Sequence, residues 1–419
     1  MTAPHLLSRW HLEAGLLALY VVDFLALGGK IGLSRASVVM GCVLLLLVVC
    51  SRSVRTELLP LLHRRHRLRL TQLRLHLALK ERAPVVWSVD SHPAGELVTL
   101  AVHIGSSIPE LERLAPVMAA ALRARDVKVY GHREDQSLVD LVVVRRETLE
   151  REVNPVPLLG RYEPSLFDCV PLGIDEVGRH VVIGLVGRHL LIGGEPGSGK
   201  SVTLSAVLAA ASRDPNCDIW CFDGKLVELA AWRPVAERFI GADVAEANEA
   251  LLDLRTLMDS RYEEMEARGR RKVEKGDGYR TVLVVLDELA FYVANGDKKQ
   301  GALFAERLRD VVARARAAGI VVVAATQKPS TDLVPSALRD NFGYRLAHRC
   351  ATREASDTIL GSGWATNDVS ASSIAPKLRG VGYLLAEEGY PSRIRTMHLD
   401  DATISVVVDE ALRLRGRKR

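Results

Sequence analysis

Aromatic residues are scarce in this chain: Phe, Trp and Tyr make up 5% of 419 residues, although hydrophobic residues make up 48%. The apolar content is therefore mostly aliphatic, and a mean hydropathy of +0.09 points to an unusually apolar segment somewhere in the chain. Metal-binding cysteine patterns are lacking. Cys42, Cys50, Cys169, Cys217, Cys221 and Cys350 are scattered, with no CxxC pair and no zinc spacing, so they read as free thiols in a reducing compartment. A strong charge of one sign is lacking too. The net charge of +5 is compatible with a nucleic-acid partner but does not establish one. No small-residue cleavage site follows the first apolar run, which argues against a cleaved signal peptide. The length suggests two or three domains with ample core.

The apolar residues concentrate at the amino terminus. His11–Gly29 is apolar but carries Glu13 and Asp23; Ala36–Ser51 carries no charge. Sixteen helical residues span roughly 24 Å, just enough with flanking Arg35 and Arg52 to cross a bilayer core of roughly 30 Å. Asp23 costs the first segment roughly 3 kcal/mol, which its Leu, Val and Phe residues return at roughly 0.5 kcal/mol each. The expectation is a transmembrane helical hairpin over residues 1–55. Arg52, Arg55, Arg64, Arg65, Arg67 and Arg69 then place the downstream side in the cytoplasm, making a multi-pass protein of the plasma membrane. A buried globular helix pair is the alternative.

Residues 56–83 read as a basic helix, Leu recurring against Arg, His and Lys. It suits lipid head groups, DNA phosphates or plain solvent. Residues 84–152 read as a small α/β accessory module in the order strand, strand, helix, strand, strand. A Ser107/Glu110 capping box is expected to open its helix. Asn154-Pro-Val-Pro marks a linker.

Residues 153–400 carry the chemistry. Gly194-Glu195-Pro196-Gly197-Ser198-Gly199-Lys200-Ser201 is a complete GxxxxGK[ST] phosphate loop between an apolar strand and a helix that starts at Val202. Its glycines let backbone amides turn toward phosphates. Lys200 reaches the β- and γ-phosphates, and the Ser201 hydroxyl takes a position on Mg²⁺. The β-branched run Val282–Leu286 ends in Asp287-Glu288. Asp287 is placed to hold Mg²⁺ through water, and Glu288 to polarise an attacking water. Ile219–Phe222 ends in Asp223-Gly-Lys225, and Ile320–Ala325 ends in Thr326-Gln327. Ligands of parallel sheets lie at the carboxyl ends of strands, so Gln327 is placed to sense the γ-phosphate. The fold class expected is α/β: a RecA-like P-loop ATPase with a mainly parallel sheet, preceded by the small module and the hairpin. A helix and basic tail, 401–419, close the chain.

HLLIGGEPGSGKSV, the DGKLVEL stretch, VVLDELA, ARAAGIVVVAATQKPSTD and NFGYRLAHRCATREASDTIL resemble the FtsK/SpoIIIE family of DNA translocases. The likeness covers about residues 85–400 and is greatest to the transfer ATPases of actinobacterial conjugative plasmids and integrative elements. It implies an ATP-driven, membrane-anchored motor acting on double-stranded DNA in conjugative transfer or chromosome segregation. It also implies a ring, expected as a homo-hexamer, with a relaxase or other transfer or division protein as partner. A trans arginine would complete each nucleotide site, and Arg345 and Arg261 match the family positions. The chain departs from the pattern in two places. Only about twenty residues follow Leu399, too few for the winged helix that reads DNA polarity signals, and Asp357 stands where many members have Arg. Two other readings stay open: an ATPase powering type VII-like protein secretion, and a nucleotide-switched membrane scaffold.

Overall fold

The computed structural model describes residues 59–102, 107–132, 135, 137–154, 165–294, 297–367, 369–387 and 389–416. The segments expected to form the membrane hairpin lie outside these residues. Among the described residues no helix is long and apolar enough to cross a membrane. The expected placement as a multi-pass plasma-membrane protein is corrected accordingly. The chain divides into two compact units after Arg145.

The first unit begins with α1 (Leu59–Leu79), which ends in a 3-10 turn over Lys80–Arg82. Its charged composition suggests a separate basic helix, yet Thr71, Leu75 and Leu79 are buried. The Gln72 side chain accepts the Val86 N–H at 2.6 Å and donates to the Pro84 carbonyl at 3.3 Å. The helix is therefore part of the module rather than a connector. Strands β1 (Val85–His92) and β2 (Gly95–Ala101), helix α2 (Ile108–Leu122), and strands β3 (Asp126–Gly131) and β4 (Leu138–Val144) follow in the predicted order. The sheet order is β1-β2-β4-β3, antiparallel throughout. Leu75 joins Leu111, Met118 and Leu122 of α2 over Val98, Leu100, Leu141 and Val143. Ser107 occupies the N-cap of α2 without a side-chain bond, so the expected capping box is not made.

The second unit is built on one ten-stranded sheet. Its elements are β5 (Val170–Asp175), β6 (His180–Ile183), β7 (Leu190–Gly193), α3 (Lys200–Ser212), β8 (Cys217–Phe222), β9 (Arg238–Ile240) and α4 (Val244–Ala267). Then come β10 (Thr281–Leu286), α5 (Leu289–Ala294), α6 (Lys298–Arg314), β11 (Ile320–Thr326), α7 (Ser336–Arg339), β12 (Tyr344–His348) and α8 (Arg353–Leu360). The unit closes with β13 (Val381–Ala386), β14 (Ser392–Thr396) and α9 (Asp401–Leu414). The order is β6-β5-β14-β13-β12-β7-β11-β10-β8-β9. Strands from β12 to β9 pair in parallel, and those from β13 to β6 extend the sheet antiparallel.

The runs VLVVL of β10 and IVVVAA of β11 are apolar at every position because helices cover both faces. Along β11, Val321, Val323 and Ala325 face the core shared with α3 and α9, whereas Ile320, Val322 and Ala324 face the core shared with α4 and α6. Strand β11 runs between the acidic strand β10 and the phosphate-loop strand β7. The carboxyl ends of β7, β11 and β10 thus line up, with β11 central.

Arg415 also departs from expectation. It belongs to the segment read as a basic tail, but its guanidinium is buried and donates to the carbonyls of Ala211, Ser212, Asp214 and Cys217. It locks α9 to the end of α3 and the start of β8 instead of offering charge to a partner.

Candidate nucleotide site

The phosphate loop leaves β7 at Gly193 and enters α3 at Lys200. Gly194, Gly197 and Gly199 have φ of 151°, 73° and 125°, a region that side-chain-bearing residues avoid. At Gly199 an added Cβ would also lie 2.6 Å from Gly380 Cα, so glycine is required on both counts. The Lys200 ammonium, 5% exposed, donates to the Gly194 and Glu195 carbonyls at 2.9 and 2.8 Å. Burial lowers its pKa, against the pull of Glu288, Asp287 and Glu228. Glu195 donates its N–H to the Arg349 carbonyl at 2.8 Å and pairs with the Arg349 guanidinium, also at 2.8 Å. The Ser198 hydroxyl is buried with no hydrogen-bond partner among the described residues. Pro196, Gly197, Ser201 and Val202 line a cavity of about 450 Å³, together with Lys200 and Gln327.

The two carboxylates after β10 have different surroundings. Glu288 is 7% exposed and hydrogen-bonded through both carboxylate oxygens. Its Oε1 accepts the Thr326 hydroxyl at 3.0 Å and the Ala290 N–H at 3.2 Å, and its Oε2 accepts the Gln327 N–H at 3.0 Å. Asp287 is 3% exposed, and its Oδ2 has no hydrogen-bond partner among the described residues. Burial pushes the Asp287 carboxyl up to about 7, with Glu228, Asp223 and Glu288 adding to the rise. A buried carboxylate oxygen without a donor, beside further negative charge, fits a cation. Asp287 with the Ser201 hydroxyl is therefore a donor set suited to Mg²⁺.

The arginines expected to act across a subunit boundary are not equivalent. Arg261 lies on α4, 6% exposed, and donates to the Ala318 carbonyl at 2.6 Å and the Arg280 carbonyl at 2.7 Å. Those carbonyls precede β11 and β10, at the end of the sheet opposite the phosphate loop. Arg261 is thus a buried tie within its own unit, which corrects its reading as a trans arginine. Arg345, on β12, donates to the Leu360 carbonyl at 3.0 Å with its side chain 20% exposed. It too stands at the end of the sheet away from its own phosphate loop.

Several pocket residues escape motif reading. Glu228 lines the cavity from the loop after β8, and Arg379 and Arg395 from the β13 and β14 side. Asp223, buried at the end of β8, caps that loop by accepting the Lys225 and Leu229 N–H groups. Glu228 lies inside DGKLVEL and was within reach of the sequence. The arginines carry no local signal, because their placement depends on how β13 and β14 pair.

The chain is similar to known proteins over the stretch that carries the phosphate loop. The FtsK/SpoIIIE family model matches residues 163–361. The DNA translocase FtsK of Halalkalibacterium halodurans is 28% identical over 371 residues, covering 80% of this chain and 43% of the relative. The DNA translocase SpoIIIE of Bacillus subtilis is 27% identical over 338 residues, covering 74% of this chain and 41% of the relative. The chain thus spans about two-fifths of the length of these curated relatives. A solved structure of the pCW3 conjugation coupling protein TcpA, in a monomer form with ATPγS, superimposes with a TM-score of 0.55 at 18% identity. That match covers 82% of this chain and 99% of that one, and at such identity the likeness is one of fold. Residues 163–361 form a domain of the FtsK/SpoIIIE family.

Proposed function

We propose that the chain is an ATP-hydrolysing motor that translocates double-stranded DNA. The observation that carries this reading is the carboxylate of Glu288, held by Thr326 and by the Gln327 amide at the tip of the strand between β10 and the phosphate-loop strand. A base fixed on two sides can orient a water for in-line attack. In this reading the loop amides and Lys200 hold the β- and γ-phosphates, with Lys200 exchanging its two carbonyl partners for phosphate oxygens. Ser201 and Asp287 would hold Mg²⁺, which neutralises phosphate charge when bound. Glu288 accepts the proton of the attacking water. Gln327, bonded to Glu288 through its backbone, reports the γ-phosphate to the rest of the unit.

The active form in this proposal is a ring, a homo-hexamer, with Arg345 reaching toward the nucleotide of the next subunit. Duplex DNA is gripped through its phosphates, largely without regard to sequence. The process served is conjugative transfer or chromosome segregation, with a relaxase or another transfer or division protein as partner. The test is ATP turnover with and without linear duplex DNA. Stimulation by duplex is expected; turnover indifferent to DNA would overturn the cargo assignment.

A further inference from the structure

Beneath the phosphate loop lies a buried histidine that the proposed reaction does not use. His348 ends β12 and is fully buried. It packs directly against two loop glycines: a Cβ added at Gly194 would lie 2.9 Å from His348 Cβ, and one at Gly199 3.3 Å from its Cε1. Its Nδ1 is 3.1 Å from the Val381 carbonyl oxygen, and its Nε2 is 2.8 Å from the Thr203 hydroxyl. A carbonyl oxygen only accepts, so Nδ1 carries the proton. In the neutral ring Nε2 is then an acceptor, and the Thr203 hydroxyl donates to it.

These two bonds join three elements. Thr203 stands in the first turn of α3, three positions after Lys200. Val381 opens β13, and the preceding residue, Gly380, donates its N–H to the Ser198 carbonyl at 2.8 Å. We infer that His348 is a positioning residue for the nucleotide: it pins the start of α3 to β13 and so sets where the loop amides and Lys200 meet the phosphates. This rests on the ATPase reading and adds to it a residue outside the pocket. A histidine that merely fills space would leave nucleotide affinity unchanged when replaced by a ring of similar size.

The test is titration of the full chain with the fluorescent analogue mant-ATP in a Glu288→Gln background, so that nucleotide is not consumed. His348→Phe keeps the ring and loses both hydrogen bonds; Thr203→Val keeps the shape and loses the hydroxyl. Each is expected to weaken binding about tenfold, the effect of leaving one buried group unpaired: His348 Nε2 in Thr203→Val, and the Val381 carbonyl in His348→Phe, where the Thr203 hydroxyl still has the Gly199 carbonyl at 3.3 Å. The double variant is expected to lose no more than the weaker-binding single, because both remove the same link. Unchanged affinity in the single variants, or losses that add, would overturn the inference. If His348→Phe does not fold, Thr203→Val alone decides. Failure of the parent protein to bind mant-ATP would instead overturn the ATPase reading, so the two failures are distinguishable.

Discussion

Glu288 and Thr326 are 38 positions apart in the chain, yet the Thr326 hydroxyl donates to the Glu288 carboxylate at 3.0 Å. The contact exists because β10 and β11 are neighbours with Leu286 opposite Ala324, and β11 runs two residues past that pair to Thr326, level with Glu288. If Glu288 is the base, Thr326 fixes its direction. Thr326→Val is expected to lower kcat for ATP about 10- to 100-fold, the range for losing a hydrogen bond to a charged group. Glu288→Gln is expected to lower it further while nucleotide binding persists. Wild-type turnover in Glu288→Gln would remove the base from the account.

The arginines separate by what their loss does. Arg261→Ala strips donors from two carbonyls and is expected to cost about 2–3 kcal/mol of stability, read by chemical denaturation. Arg345→Ala strips a donor from the Leu360 carbonyl and is expected to cost less, about 1 kcal/mol, while lowering kcat about 10³-fold, as loss of an arginine finger does. Mixing Arg345→Ala with Lys200→Ala should recover part of the activity, because each supplies what the other's sites lack. No recovery would place Arg345 outside the neighbour's site.

Two buried histidines make the fold acid-sensitive. Burial is the main cause that holds His189 down to about 3 and His348 down to about 4. Both are neutral in the folded chain, whereas the unfolded chain protonates them below its ordinary value of about 6.5. Their contribution to stability is therefore complete above that value. It falls by about 1.4 kcal/mol per pH unit for each as pH drops toward the folded values. The check is the histidine ring signals in NMR. These two are expected to keep constant shifts from about pH 7 to about pH 5. Titration of either near 6.5 would contradict its burial.

DNA binding that works through phosphates should release counterions. The affinity of the chain for duplex is expected to fall steeply with salt and to change little with sequence. Electrophoretic mobility shifts over a salt series, on duplexes of different composition, measure both. A preference of roughly 10³ for one short motif, as specific binders show, would mean that a reading element has been missed.

The chemistry was more legible in the sequence than the architecture. The Asp287-Glu288 pair and the Thr326-Gln327 tip follow β-branched runs too apolar for anything but buried parallel strands, and the phosphate loop follows the apolar Leu190–Ile192. The insertion of β11 between β7 and β10 was not legible, because strand order is set by tertiary pairing and leaves no local mark. The same holds for β13 and β14, which bring Arg379 and Arg395 to the cavity. Charge misled twice. Arg261 and Arg415 read as surface or partner-seeking residues, yet each gathers carbonyls at the ends of buried elements. In α1 the basic residues masked Leu75 and Leu79, whose spacing of four marks a buried face.

The proposed motor couples ATP hydrolysis to movement along duplex DNA. The most direct measurement is displacement of a third strand from a linear duplex carrying a short triplex. The full chain with ATP is expected to strip the third strand at a rate independent of the intervening sequence, and Glu288→Gln to bind the same DNA without stripping it. ATP turnover without displacement, or equal displacement by Glu288→Gln, would contradict it.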